Sequence, residues 1–276
     1  MSPLPKLTSA TRSRPIPPAW PFDSEALRVV EQSVLYCDFA RRDATGSSDA
    51  RAVIRFLTTA DIDAAEELNL AVLCRLPHPH ILRREGRDYL TQHVRERGRC
   101  IGAFSGNEMI AFTVLSFPRD EPDNLGIDLG FGREQRLRVC HFELSGVHPD
   151  FRGHHLHRTM NLLRARFAGA AGYNHLCGTV SPRNPYSLRN HMSGGMVVRK
   201  LVQKYGGMDR YIIYRNYNQM TALRPGAMAA AVTCECLDIQ AQKALLNENY
   251  WGISVDKPEG GVWQITYVPG AMVDVQ

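Results

Sequence analysis

Glu143-Leu-Ser-Gly-Val147-His-Pro-Asp-Phe-Arg152-Gly-His-His-Leu-His157-Arg158 decides how the chain is read. An apolar, β-prone run over 139–147 passes through a short turn at 148–152 directly into a helical pattern over 155–170. A helix start leaves its first backbone N–H groups without partners and carries the positive end of the macrodipole. A strand that turns straight into such a start therefore builds a cradle for an anion. The stretch lacks the Gly-Lys-Ser/Thr of a nucleotide P-loop and the three spaced glycines of a dinucleotide fingerprint, so neither class is indicated.

Downstream, a strand is expected over 176–180, a short helix over 184–193 closed by Gly194 and Gly195, and a hairpin of 196–205 and 209–215 turning at Gly206 and Gly207. Upstream, 51–57 reads as a strand and Thr58, three residues ahead of Asp61, as the start of a helix reaching about residue 76. A second helix is expected over 84–97, then a hairpin of 99–104 and 109–117. The stretch 118–136 is a long excursion, and such loops often carry function, so it is the candidate substrate loop. The Pro-rich start and the polar stretch 41–50 lack periodicity, which makes 1–50 an arm or extra layer. Beyond Asn216, strand, helix and hairpin patterns over 217–276 form an appended module. The fold class is α/β in the α+β sense: a mixed, largely antiparallel central sheet flanked by helices.

Val147-His148-Pro149-Asp150-Phe151-Arg152-Gly153 resembles the coenzyme A motif of the GNAT superfamily of acyltransferases, V-x-P-x-x-R/Q-x-x-G-x-G/A. Ser181-Pro-Arg-Asn184-Pro-Tyr-Ser187 resembles the N-x-x-A/S helix start of the same superfamily. The likeness spans residues 51–216, between the arm and the appended module. It implies acetyl-CoA or coenzyme A as the donor, held by Ser145, Gly146 and Val147 along the pantetheine arm and by Arg152, Gly153, His154, His155, Leu156, His157 and Arg158 around the pyrophosphate, with Asn184 and Ser187 touching the donor from a second segment. It also implies Glu143 as the base that takes a proton from a primary amine. The superfamily's thiolate-protonating tyrosine, seven past the Asn, falls on His191, which can donate a proton in its place. The two motif glycines fall on His155 and His157. Histidine tolerates positive φ better than branched residues, and a charged imidazole would attract a phosphate. An acyl-carrier or aminoacyl-tRNA donor, or a silent binding module on the same fold, stays open beside acetyl transfer.

The rest of the composition narrows the field. With 276 residues, 44% of them hydrophobic, the chain can bury a core without staples, and it has no apolar run of membrane-spanning length. Seven scattered cysteines suit reduced thiols and a cytoplasmic setting. A net charge of +5 spread among acids admits an anionic ligand and gives no nucleic-acid tract. Adjacent His154, His155 and His157 do not give the i, i+4 face of a helical metal site, so no metal is expected. The acceptor is a small-molecule or peptide amine of unspecified identity, and a homodimer is left open.

Overall fold

A computed structural model describes residues 34–43 and 46–274. Its strands line up in one mixed sheet. In chain order these are β1 (Leu35–Asp43), β2 (Gly46–Phe56), β3 (Gly98–Ser105), β4 (Glu108–Ser116), β5 (Val139–Val147), β6 (His175–Val180), β7 (Val197–Lys204), β8 (Met208–Asn216), β9 (Ala222–Leu223), β10 (Val232–Glu235), β11 (Tyr250–Asp256), β12 (Gln264–Pro269) and β13 (Val273–Asp274). The spatial order is β1-β2-β3-β4-β5-β6-β8-β7-β11-β12-β10, with β9 and β13 paired apart. Neighbours in the sheet run antiparallel except β5 and β6. The helices are α1 (Ile62–Cys74), α2 (Arg87–Arg95), α3 (Leu125–Asp128), α4 (Arg133–Arg136), α5 (Leu156–Ala170), α6 (Pro185–Met192) and α7 (Ile239–Asn247). This is the mixed α/β arrangement, with a largely antiparallel sheet flanked by helices, that the sequence leads one to expect.

The two faces of the sheet bury different helices. Residues alternate across a strand, so on β4 Ala111 and Leu115 join Leu156, Met160 and Phe167 of α5, while Phe112 and Val114 join Ile62, Leu68 and Leu90 of α1 and α2. The start of α1 is fixed as its sequence suggests. Asp61 accepts from Thr58 N at 2.7 Å and Thr58 Oγ1 at 2.9 Å, and Arg55 grips the same carboxylate with both nitrogens at 2.7 and 2.8 Å. Those donors hold its pKa down at about 2.

Three expectations need correction. Residues 41–43 and 46–50 are strand rather than loop: β1 and β2 pair antiparallel and extend the sheet edge. The stretch 41–50 carries no large apolar residue, so hydrophobic patterning did not mark it; residues 1–33 lie outside the described residues. The second helix is shorter than 84–97, since Gly86 is its extended N-cap and Glu96 leaves helical geometry. The excursion 118–136 is ordered by α3 and α4, with Asn124 buried and capping Gly126 N at 2.8 Å. The C-terminal strands continue the main sheet where Gly252 of β11 pairs with Val198 of β7.

Candidate active site

The site is made by a failure of pairing. β5 and β6 are registered only from Val139↔His175 to Phe142↔Gly178, and beyond that point they diverge. The cause lies on the other side of β5. Thr113 faces Ser145 but Leu115 faces Phe142, so β5 carries one extra residue opposite β4, a bulge that bends the strand away from β6. Arg164 of α5, 0% exposed, fills the defect. Its Nη1 donates to Val114 O at 3.1 Å and Glu143 O at 3.3 Å, its Nη2 donates to Asn161 Oδ1, and its guanidinium lies 4.3 Å from the Phe142 ring centroid. Burial lowers its pKa to about 9, which still leaves it charged at neutral pH. An arginine inside an amphipathic helix reads as surface, so sequence reasoning missed it.

The divergence opens a cleft of about 760 Å³. Its floor at one end is the cradle: Pro149–Phe151 makes a 3₁₀ turn, Gly153 has φ 88°, and His155 takes φ 58°, the left-handed conformation that a glycine would adopt freely. His155 thus replaces a motif glycine by accepting its backbone geometry. The first intrahelical bond runs from Thr159 N to His155 O at 2.9 Å, so the N–H groups of Leu156, His157 and Arg158 precede it and are available at the helix start. Arg152 and Arg158 are exposed on the cleft wall, without an ion pair among the described residues. These groups suit a phosphate-bearing anion.

His157 departs from expectation. Its Nδ1 lies 3.2 Å from Asn190 Nδ2, which makes it the acceptor and puts the ring proton on Nε2, a buried nitrogen with no partner among the described residues. Burial pushes its pKa down to about 3, so the ring is neutral and cannot add the positive charge that the sequence suggests. What it offers a ligand is one N–H. Gly146 and His154 do not line the cleft. A Cβ on Gly146 would stand 2.7 Å from Phe112 Cε1, so this glycine serves the packing of α1 against the sheet. Ser145, Val147, Gly153, His155, Leu156, Asn184 and Ser187 do line it, as do Arg152, His157 and Arg158. Asn184 Oδ1 caps α6 by accepting from Ser187 N at 3.1 Å.

Glu143 sits at the bulge with its side chain 27% exposed. Its Oε1 accepts from Ser116 Oγ at 3.0 Å and lies 3.2 Å from His141 Nδ1. The tautomer of His141 follows from its other nitrogen: Leu125 N–H donates to Nε2 at 3.0 Å, so the proton is on Nδ1 and points at Glu143. Burial acts to raise the Glu143 carboxyl, and the donated hydrogen bonds outweigh it, so the group is held below its ordinary value and is ionised at neutral pH. No residue of 118–136 lines the cleft. The excursion reaches the site from behind, through Leu125, and is not a wall of the substrate site.

His191 is on the cleft wall but buried. Arg164 fixes Asn161 Oδ1, so Asn161 Nδ2 faces His191 Nδ1 at 3.5 Å, and the ring stands edge-on to His157 with centroids 5.3 Å apart. Burial holds its pKa well below the ordinary imidazole value. A charged imidazolium is therefore unavailable to it at neutral pH, and the part it can play is that of a neutral N–H donor. The opposite end of the cleft holds groups that the sequence did not single out: Glu85, Tyr89, Tyr205, Arg83 and Arg210. They come from a loop, α2, a turn and β8, with no shared motif.

Among the described residues no helix is long and apolar enough to cross a membrane, and no three His, Cys, Asp or Glu side chains are grouped to hold a metal. No protein-family model and no curated protein matches the sequence. Solved structures similar to the chain include an N-acetyltransferase from Staphylococcus aureus, 13% identical over 60% of this chain and 98% of that one with TM-score 0.46. The ribosomal-protein-S18-alanine N-acetyltransferase of Escherichia coli is 16% identical over 59% and 91% with TM-score 0.43. A GNAT superfamily phosphinothricin acetyltransferase from Sinorhizobium meliloti, in complex with acetyl-CoA, is 13% identical over 60% and 88% with TM-score 0.46.

Proposed function

We propose that the chain is an N-acyltransferase of the GNAT type that moves an acetyl group from acetyl-CoA to a primary amine. The observation that carries this reading is the divergence of β5 from β6, with an anion cradle at one end and an ionised carboxylate beside the opened strand. Acetyl-CoA, when bound, supplies the thioester carbonyl as electrophile.

The residues of the chain do the rest. Arg152 and Arg158, with the N–H groups of Leu156 to Arg158 and His157 Nε2–H, hold the phosphates. The strand edge at Ser145 and Val147, no longer paired to β6, is free to hydrogen-bond the amide-rich arm of the donor. Glu143 takes the proton of an amine that is mostly ammonium at neutral pH, directly or through a water. Glu143 passes the ammonium's first proton on to bulk water; a C–N bond then forms as the C–S bond breaks, the second amine proton goes to Glu143, and the departing thiolate accepts a hydrogen bond from neutral His191 and takes up the proton released to water. Holding the two reactants along one cleft supplies the orientation that the uncatalysed encounter lacks.

Isothermal titration with coenzyme A and acetyl-CoA tests the reading, with saturable binding of both expected. Folded protein that binds neither removes it.

A further inference from the structure

The far end of the cleft is chemically divided, and the division describes the acceptor. Two carboxylates lie within it: Glu143, and Glu85, which sits close enough that the Glu143 charge acts on it. Cations border them. Arg83 pairs with Glu85 at 2.8 Å and stacks 4.8 Å from the Tyr205 ring centroid, and Arg210 stands 5.9 Å from the same ring. Arg83 is neutralised by its partner. Arg210 is not: it is 3% exposed, and its guanidinium donates only to the carbonyls of His80 (2.8 Å) and Asp209 (3.1 Å) and to Met208 Sδ (3.2 Å), with no ion pair among the described residues. Arg183, also on the cleft wall, has none either. The Asp209 carboxylate acts on Arg210 only from beyond ion-pair distance; a buried cation without a paired anion is costly, and the cost falls when a ligand brings one.

This anion is not a phosphate of the donor. On β8, Arg210 shares a face with Ile212 and Tyr214, which pack in the same cluster as Leu125, the residue that touches His141 behind Glu143. Tyr211 and Ile213 point the other way, into the core beneath α5, whose first turn carries the cradle. Arg210 and Glu143 therefore belong to one side of the sheet and the cradle helix to the other.

Building on the acetyl-transfer reading, we propose that the acceptor is a small amino acid, a molecule that presents its amine to Glu143 and Glu85 and its own acid group to Arg210. The acid group satisfies the unpaired guanidinium, and the ammonium meets the Glu143 carboxylate, with Glu85, already paired to Arg83, beside it, before it gives up its proton to Glu143. A plain alkylamine leaves Arg210 unmatched, and a diamine sets a second positive charge against it.

The test is thiol release from acetyl-CoA by the full chain, with the twenty standard amino acids, their methyl esters and the matching decarboxylated amines as acceptors. At least one free acid is expected to exceed its ester and its amine by tenfold or more in kcat/KM. Arg210→Met is expected to raise KM for that acid at least tenfold, far more than it lowers kcat, and to leave the ester's KM unchanged. The panel on the unsubstituted chain stands alone if the variant does not fold. Esters or amines that match the acids overturn the proposal, as does an Arg210→Met effect equal for acid and ester. Saturable coenzyme A binding with no acid turned over overturns it while leaving the donor reading intact, whereas failure to bind coenzyme A removes both.

Discussion

Mild acid attacks this fold through two buried imidazoles under the cradle. His157 is held at about pKa 3 and His191 well below its ordinary value, both chiefly by burial, against 6.5 for an exposed imidazole. The folded values are depressed, so the unfolded chain binds protons that the folded chain refuses. Their stability contribution is complete above pH 6.5 and is lost as the pH falls toward the folded values. Each pH unit in that window costs about 1.4 kcal/mol per group, so going from pH 6.5 to 5 removes about 2 kcal/mol for His157, and His191 adds to the loss in the same direction. That is a sizeable part of the roughly 5–15 kcal/mol stabilising an ordinary domain. Depressed carboxylates such as Glu143 and Asp61 act in the same sense, but only nearer their unfolded values of about 4 to 4.5 and below, so the histidines dominate the window. Urea unfolding at pH 7 and pH 5 reads the effect directly. His157→Gln keeps a donor near Nε2 and removes the titration, so its loss between the two pH values is expected to be about 2 kcal/mol smaller. If parent and variant lose the same amount, His157 is not the buried neutral group described here.

Two further outcomes follow from single contacts. Glu143→Gln leaves Ser116 and His141 an oxygen to donate to, so the fold is expected to persist while kcat falls about 10²- to 10⁴-fold, the range for a lost general base, with KM for acetyl-CoA little changed; thiol release from pH 6 to 10 checks this, and a variant within threefold of the parent throughout removes the base assignment. Gly146→Ala places a carbon 2.7 Å from Phe112 Cε1 and 3.3 Å from Val72 Cγ2, which costs about 1–3 kcal/mol as the ring is forced over and lowers the melting temperature, with an unchanged melt contradicting the close approach.

The strand, turn and helix around Val147 were legible because periodicity and turn chemistry are local properties, and they agree there with the final structure. The position of His155 was legible as well: the sequence implied a glycine-like backbone at that residue, and φ 58° supplies it. What the sequence did not reveal is created by distant partners. The bulge in β5 depends on an arginine twenty-one positions away in the chain, and nothing in the pattern of α5 marks Arg164 as the residue turned inward. The neutral state of His157 depends on Asn190, and the acceptor end assembles from four separate segments. The strand residues of 41–50 escaped for a different reason, because they carry no large apolar residue to mark a half-buried strand.

Leu125 gives the excursion 118–136 a reach beyond its own surroundings. One main-chain N–H, sixteen residues before His141, dictates which nitrogen of that ring bears hydrogen, and so whether Glu143 meets a donor or a lone pair. The proton wiring of the cleft is thereby set from outside it. Shortening or re-threading that segment would rewire the carboxylate without altering a single residue that a substrate touches.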